Sequence, residues 1–168
     1  MIRIRSTKYD PSRRDIQGHY IIDEFTSVSD VGKLINNHKI SADEYLNAED
    51  AYVCCVRKLL DVSHTNSLQI LELEDKRENM LVDPEVERLR PALLDTVYEG
   101  MVVSDEDLDK IVRMALREVI WCKLTGSNGV YVHFGYDLYM YIGSDFDLAG
   151  LGKPPQGMFY EEMESPYA

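Results

Sequence analysis

The stretch VYVHFGYDLYMYI, residues 130–142, decides the fold class. Val130, Val132 and Phe134 alternate with Tyr131 and His133. Beyond Gly135-Tyr136-Asp137, Leu138, Met140 and Ile142 alternate with Tyr139 and Tyr141. A period of two on both sides of a turn is the pattern of a β-hairpin with an apolar face and a tyrosine face. The apolar face needs a cover, and two helical patterns upstream supply it. In the first, Ser41-Ala42-Asp43-Glu44 has the form of a capping box, and Tyr45, Leu46, Tyr52, Val53, Val56, Leu59 and Leu60 recur at helical spacing to about Asp61. In the second, Ser104-Asp105-Glu106-Asp107 precedes Leu108, Ile111, Val112, Ala115, Leu116, Val119 and Ile120 on one face, and Ser127-Asn128-Gly129 ends the run.

Weaker signals fill the remainder. Ser27 or Ser29 caps a short helix to about Asn36, and Asp83-Pro84-Glu85 starts another that Pro91 shortens or kinks. Leu68 to Leu73 is too short for a helix and reads as a strand. Residues 1–26 form an extended N-terminal arm punctuated by Asp10-Pro11 and Gly18, and residues 143–168 an acidic, Gly- and Pro-rich tail. The expectation is a single α+β domain over 1–168: two longer and two short helices packed on a small, mainly antiparallel sheet with a C-terminal β-hairpin.

The chain carries 18 Lys+Arg against 30 Asp+Glu, a net charge of -12. Residues 1–20 run the other way: Arg3, Arg5, Lys8, Arg13 and Arg14 against Asp10 and Asp15 give +3, so the remainder carries -15. Direct nucleic-acid binding needs clustered cations and is disfavoured. There is neither an apolar leader at the N-terminus nor a membrane-length apolar run, so a cytoplasmic protein without a membrane partner is expected. Cys54, Cys55 and Cys122 form no CxxC pair, fall within the helical patterns and read as reduced, partly buried thiols.

Catalytic motifs are missing. His19, His38, His64 and His133 enter no HExxH and no zinc spacing, and there is no GxSxG, P-loop or glycine-rich dinucleotide turn. Asp145 and Asp147 offer oxygens to a hard cation, but two carboxylates in one loop do not make a site. Neither cofactor nor metal is expected.

The tyrosines carry more information. There are 11 against 4 Phe and 1 Trp, and tyrosine suits interfaces because it combines contact area, little rotamer loss and one hydrogen bond. Tyr131, Tyr139 and Tyr141 are expected on one hairpin face, Tyr136 at its turn and His133 beside them; the same face could instead be packed under a helix or the tail. Asp145, Asp147, Glu161, Glu162 and Glu164 have only Lys153 nearby as compensation. The candidate partner-binding set is therefore Tyr131, His133, Tyr136, Tyr139, Tyr141, Asp145 and Asp147, an anionic, aromatic surface for a basic protein.

One segment adds a resemblance. Tyr9-Asp10-Pro11, Arg14-Asp15, Gly18, Asp23-Glu24-Phe25-Thr26-Ser27 and Ser29-Asp30-Val31-Gly32-Lys33, about a sixth of the chain, are similar to immunity proteins of bacterial polymorphic toxins, particularly of contact-dependent growth inhibition systems. The resemblance implies a small, non-catalytic cytoplasmic protein that binds a cognate toxin C-terminal domain, often a basic nuclease, one to one and blocks its active site. Two alternatives stay open: an acidic DNA mimic that inhibits a DNA-binding enzyme, and an enzyme of unrecognised type built on Asp145, Asp147 and His133.

Overall fold

A computed structural model describes residues 1–77, 84–89 and 93–168. Among the described residues nine strands run in chain order: β1 (Ile2–Thr7), β2 (Leu34–Ile35), β3 (His38–Lys39), β4 (Ser67–Asp75), β5 (Val102–Ser104), β6 (Ile120–Thr125), β7 (Tyr131–Phe134), β8 (Met140–Ser144) and β9 (Phe159–Glu162). The helices are α1 (Ala42–Ser63), α2 (Pro84–Leu89) and α3 (Asp105–Leu116). Seven strands form one antiparallel sheet in the order β5-β4-β6-β7-β8-β1-β9, and β2 pairs with β3 apart from it. The molecule is α+β as the sequence suggests, but its sheet is large.

The register explains the two faces. Ile4, Ile142, Val132, Leu124 and Ile70 stand directly opposite one another in turn across five strands, each at most 1% exposed. This row faces the helix layer, with α1 against β1 and β8 and α3 against β4, β5 and β6. The opposite face carries the neighbouring row Glu161, Arg5, Tyr141, His133, Lys123 and Leu71.

The hairpin pattern is realised in β7 and β8, with Tyr131 paired to Gly143 and His133 to Tyr141. Helix α1 also follows its signals. The Ser41 hydroxyl accepts a hydrogen bond from the Glu44 amide at 3.1 Å, whereas the Glu44 carboxylate turns instead to the His38 ring at 2.8 Å. Helix α2 starts on Pro84; Asp83 and Pro91 lie outside the described residues.

Four expectations are corrected. The second long helix ends at Leu116, because Glu118 adopts a left-handed conformation (φ 60°) that turns the chain into β6. Val119 precedes this strand and Ile120 lies in it, and Cys122 is buried in a strand rather than a helix. Asn128-Gly129, both at positive φ, is a hairpin turn joining β6 to β7 rather than a helix stop. The short helix over 27–36 is only a 3-10 turn, Val28–Asp30, closed by a reciprocal Ser27–Asp30 capping box, and the chain then forms the β2–β3 hairpin through Asn36-Asn37. The terminal segments belong to the sheet: β1 is an inner strand and β9 pairs along it, so arm and tail both complete it.

Candidate functional site

The structure separates the seven candidate residues. Tyr131, His133 and Tyr141 lie on the outer sheet face, but the C-terminal segment crosses over them. His133 Nδ1 lies 2.7 Å from the Ser165 hydroxyl, and the Tyr167 ring meets those of Trp121 and Tyr141 edge to face at 6.0 and 5.9 Å. Tyr131 stacks on His133 at 4.6 Å. His133 is thus 7% and Tyr141 8% exposed. Burial, and then the neighbouring Lys123, pushes the His133 imidazole down to about 4. Tyr139 is half-buried beneath the arm: Arg5 lies 4.7 Å over its ring, Tyr9 packs edge-on at 5.6 Å, and burial raises its hydroxyl to about 12. The tyrosine face is therefore a second packed layer, and only Tyr136, 82% exposed in the β7–β8 turn, stands in solvent.

The basic arm folds back on the domain's own acid. Arg5 and Arg14 converge on Glu161, with Nη2 of Arg5 2.8 Å and Nη1 of Arg14 2.7 Å from its carboxylate. Against the cost of burial, hydrogen bonds from Arg14 and Arg5 hold Glu161 below the usual carboxylate range. Lys8 pairs with Glu24 at 2.9 Å and Arg3 with Glu164 at 3.6 Å. Glu161, counted with the uncompensated acid in the sequence, is compensated through the β1–β9 register, which brings residues 156 positions apart face to face.

With the arm neutralised, other carboxylates stay free. Among the described residues, Asp43, Asp61, Glu106, Glu118, Asp145, Asp147 and Glu162 are exposed and make no ion pair with a side chain. Asp147 and Glu162 meet Glu164 around a surface groove of about 570 Å³, with Met1 and Met163 as its apolar wall and Arg3 as the opposing charge. Asp147 is positioned by local structure, since its Oδ1 accepts from the Ala149 amide at 3.0 Å and caps the 3-10 turn Leu148–Leu151. Asp145 stands close by: its amide donates to the Asn128 carbonyl at 3.0 Å, and its carboxylate leans over Gly129, where a Cβ would lie 2.6 Å away.

No family model, curated protein or solved structure matches this chain.

The chemistry open to the two groups differs. His133 is enclosed and lies on the sheet face, whereas Asp145 and Asp147 are exposed on the loop after β8, so the three do not form one reacting centre. Among the described residues no group of three or more His, Cys, Asp or Glu could hold a metal ion, and no helix is long and apolar enough to cross a membrane. The groove can attract and pair with cations. Trp121 and Glu118, in a second cleft at the opposite end of the hairpin, belong to no motif in the sequence; both lay inside the expected long helix, which hid the turn that carries Glu118 and the strand that carries Trp121.

Proposed function

We propose that this chain is an immunity protein that binds a basic toxin domain, most simply a nuclease, in the cytoplasm and neutralises it by covering its active site. One observation carries the reading. The arm's cations are paired to the domain's own acid, whereas Asp147 and Glu162 remain free around a groove and Asp145 is exposed two residues from Asp147, leaving an anionic surface for a partner that presents Lys and Arg. A nuclease has to present such cations to phosphates, so carboxylates at matching positions accelerate encounter and compete with its substrate. The contact set consists of Asp145, Asp147, Glu162 and Glu164, with Tyr136 as a separate aromatic anchor. Tyr131, His133, Tyr139 and Tyr141 support it from the packed layer.

The test is to look for a large secreted toxin gene directly upstream and, where one is found, to co-express its C-terminal domain with this chain. A one-to-one complex that survives moderate salt and abolishes the toxin's nuclease activity supports the reading. Absence of a complex at low salt, or a complex that leaves the toxin fully active, overturns it.

A further inference from the structure

Outside the acidic groove, a second cleft combines apolar, aromatic and charged walls. It lies where the end of α3, the start of β6 and the β7–β8 turn meet, and its volume is about 300 Å³. Ala115, Ile120 and Phe134 supply an apolar floor, and Trp121 and Tyr136 aromatic walls. The indole Nε1 of Trp121 donates to the Phe134 carbonyl at 3.0 Å and Tyr167 packs against its ring, so the indole is fixed before anything binds.

The rim carries charge. Glu118 is exposed, makes no hydrogen bond or ion pair through its carboxylate among the described residues, and is held in place by its left-handed backbone (φ 60°) and a hydrogen bond of 3.0 Å that its amide donates to the Ala115 carbonyl. Lys76 also lines the cleft, but its ammonium lies 3.4 Å from Glu74. Tyr136 presents its ring, and among the described residues its hydroxyl makes no hydrogen bond.

We propose that this cleft receives an arginine side chain of a protein partner. The methylenes lie on the Ala115, Ile120 and Phe134 floor, the guanidinium plane stacks against Trp121 and Tyr136, and Glu118 accepts its N–H donors. Arginine fits better than lysine because a planar, weakly hydrated cation stacks on aromatic rings and bonds a carboxylate through two donors at once. Charge complementarity at Glu118 selects a cation over an apolar side chain. The choice of a basic partner rests on the reading above, but the cleft lies a strand length from the acidic groove, on the order of 17 Å for a five-residue strand such as β8, and is an independent anchor point.

Trp121 is the chain's single tryptophan, so its emission reports on the cleft directly. The chain is titrated with Nα-acetyl-arginine amide, its lysine counterpart and the neutral citrulline isostere. The expected result is a saturable emission change with the arginine compound, at least fivefold weaker binding of the lysine compound and no saturation with citrulline. Glu118→Gln and Tyr136→Ala are each expected to weaken arginine binding at least fivefold with circular dichroism unchanged. No saturation with arginine, an equal response to citrulline, or unchanged affinity in Glu118→Gln overturns the proposal. So does a concentration-dependent emission change without ligand, which would assign the cleft to a second copy of the chain. Because no toxin domain is used, failure here leaves the acidic-groove reading intact, and failure of that reading leaves arginine binding measurable.

Discussion

The guanidinium of Arg117 and the carboxylate of Glu49, both with fully buried side chains, face each other between α3 and α1, with Nε 2.7 Å from Oε2 and Nη2 2.6 Å from Oε1. Arg113 adds a third bond to the same carboxylate at 2.8 Å. The pair locks the helix layer but is not its main source of stability, because burying two charges costs about as much as their attraction returns. Removing one partner is different. Glu49→Gln is expected to destabilise the domain by about 3–5 kcal/mol in urea unfolding, whereas Glu49→Leu combined with Arg117→Met recovers most of that loss. Arg117 Nη1 makes no hydrogen bond among the described residues, so the paired apolar replacement also removes a buried donor that the native pair leaves unsatisfied.

Gly143 is the second structural test. An added Cβ there would lie 2.1 Å from the Tyr131 ring, which lies flat over the glycine across the β7–β8 pair. Gly143→Ala is expected to cost about 1–3 kcal/mol, as overpacking does, and in the Tyr131→Ala background the same substitution becomes nearly neutral. A double-mutant cycle by denaturation measures the coupling.

The enclosed His133 predicts a pH dependence. The unfolded imidazole takes up a proton near its ordinary value of 6.5, the folded one only near 4. Between these values the unfolded state binds more protons, so stability falls as pH drops through that window, by on the order of 3 kcal/mol in all. His133→Gln flattens the curve between pH 6.5 and 4.5. The Arg5–Glu161–Arg14 cluster acts in a lower range: Glu161 is held below its ordinary 4.5, so its contribution is present above that value and disappears in stronger acid.

How far the sequence carried can be read from particular residues. Helix α1 was legible because Ser41 caps it and the apolar positions from Tyr45 to Leu60 keep one face, and β7–β8 because the alternation is unbroken. Strand β6 was obscured: Val119 and Ile120 continue the helical spacing of α3, and the left-handed Glu118 that breaks it has no sequence signature like a glycine's. Strand β1 had a signal, the strict alternation of Ile2, Ile4 and Ser6 with Arg3, Arg5 and Thr7, but two arginines made it look like a basic arm. The burial of the tyrosines was not legible, because it depends on Ser165 and Tyr167 reaching across the sheet from a segment without periodicity. Asp145 and Asp147 kept the exposure expected of loop acids, and Glu161 lost it to a partner 156 residues away.

The thiols give a simple check of the helix-to-strand correction. Cys54 is exposed on α1, whereas burial raises Cys55 to about 11 and Cys122, in β6, to about 12. A thiol reagent at pH 8 is expected to modify one cysteine rapidly in the folded protein and all three in urea. Rapid modification of Cys122 in the folded state would contradict the placement of β6.

The central claim is that free acid around Asp147 holds a basic toxin domain. Calorimetric titration of that domain with the native chain and with the Asp145→Asn, Asp147→Asn, Glu162→Gln variant tests it most directly. The account predicts at least a thirtyfold weaker complex for the variant, about 2 kcal/mol, with the difference shrinking as salt rises. Affinities within threefold of each other at low salt would contradict it.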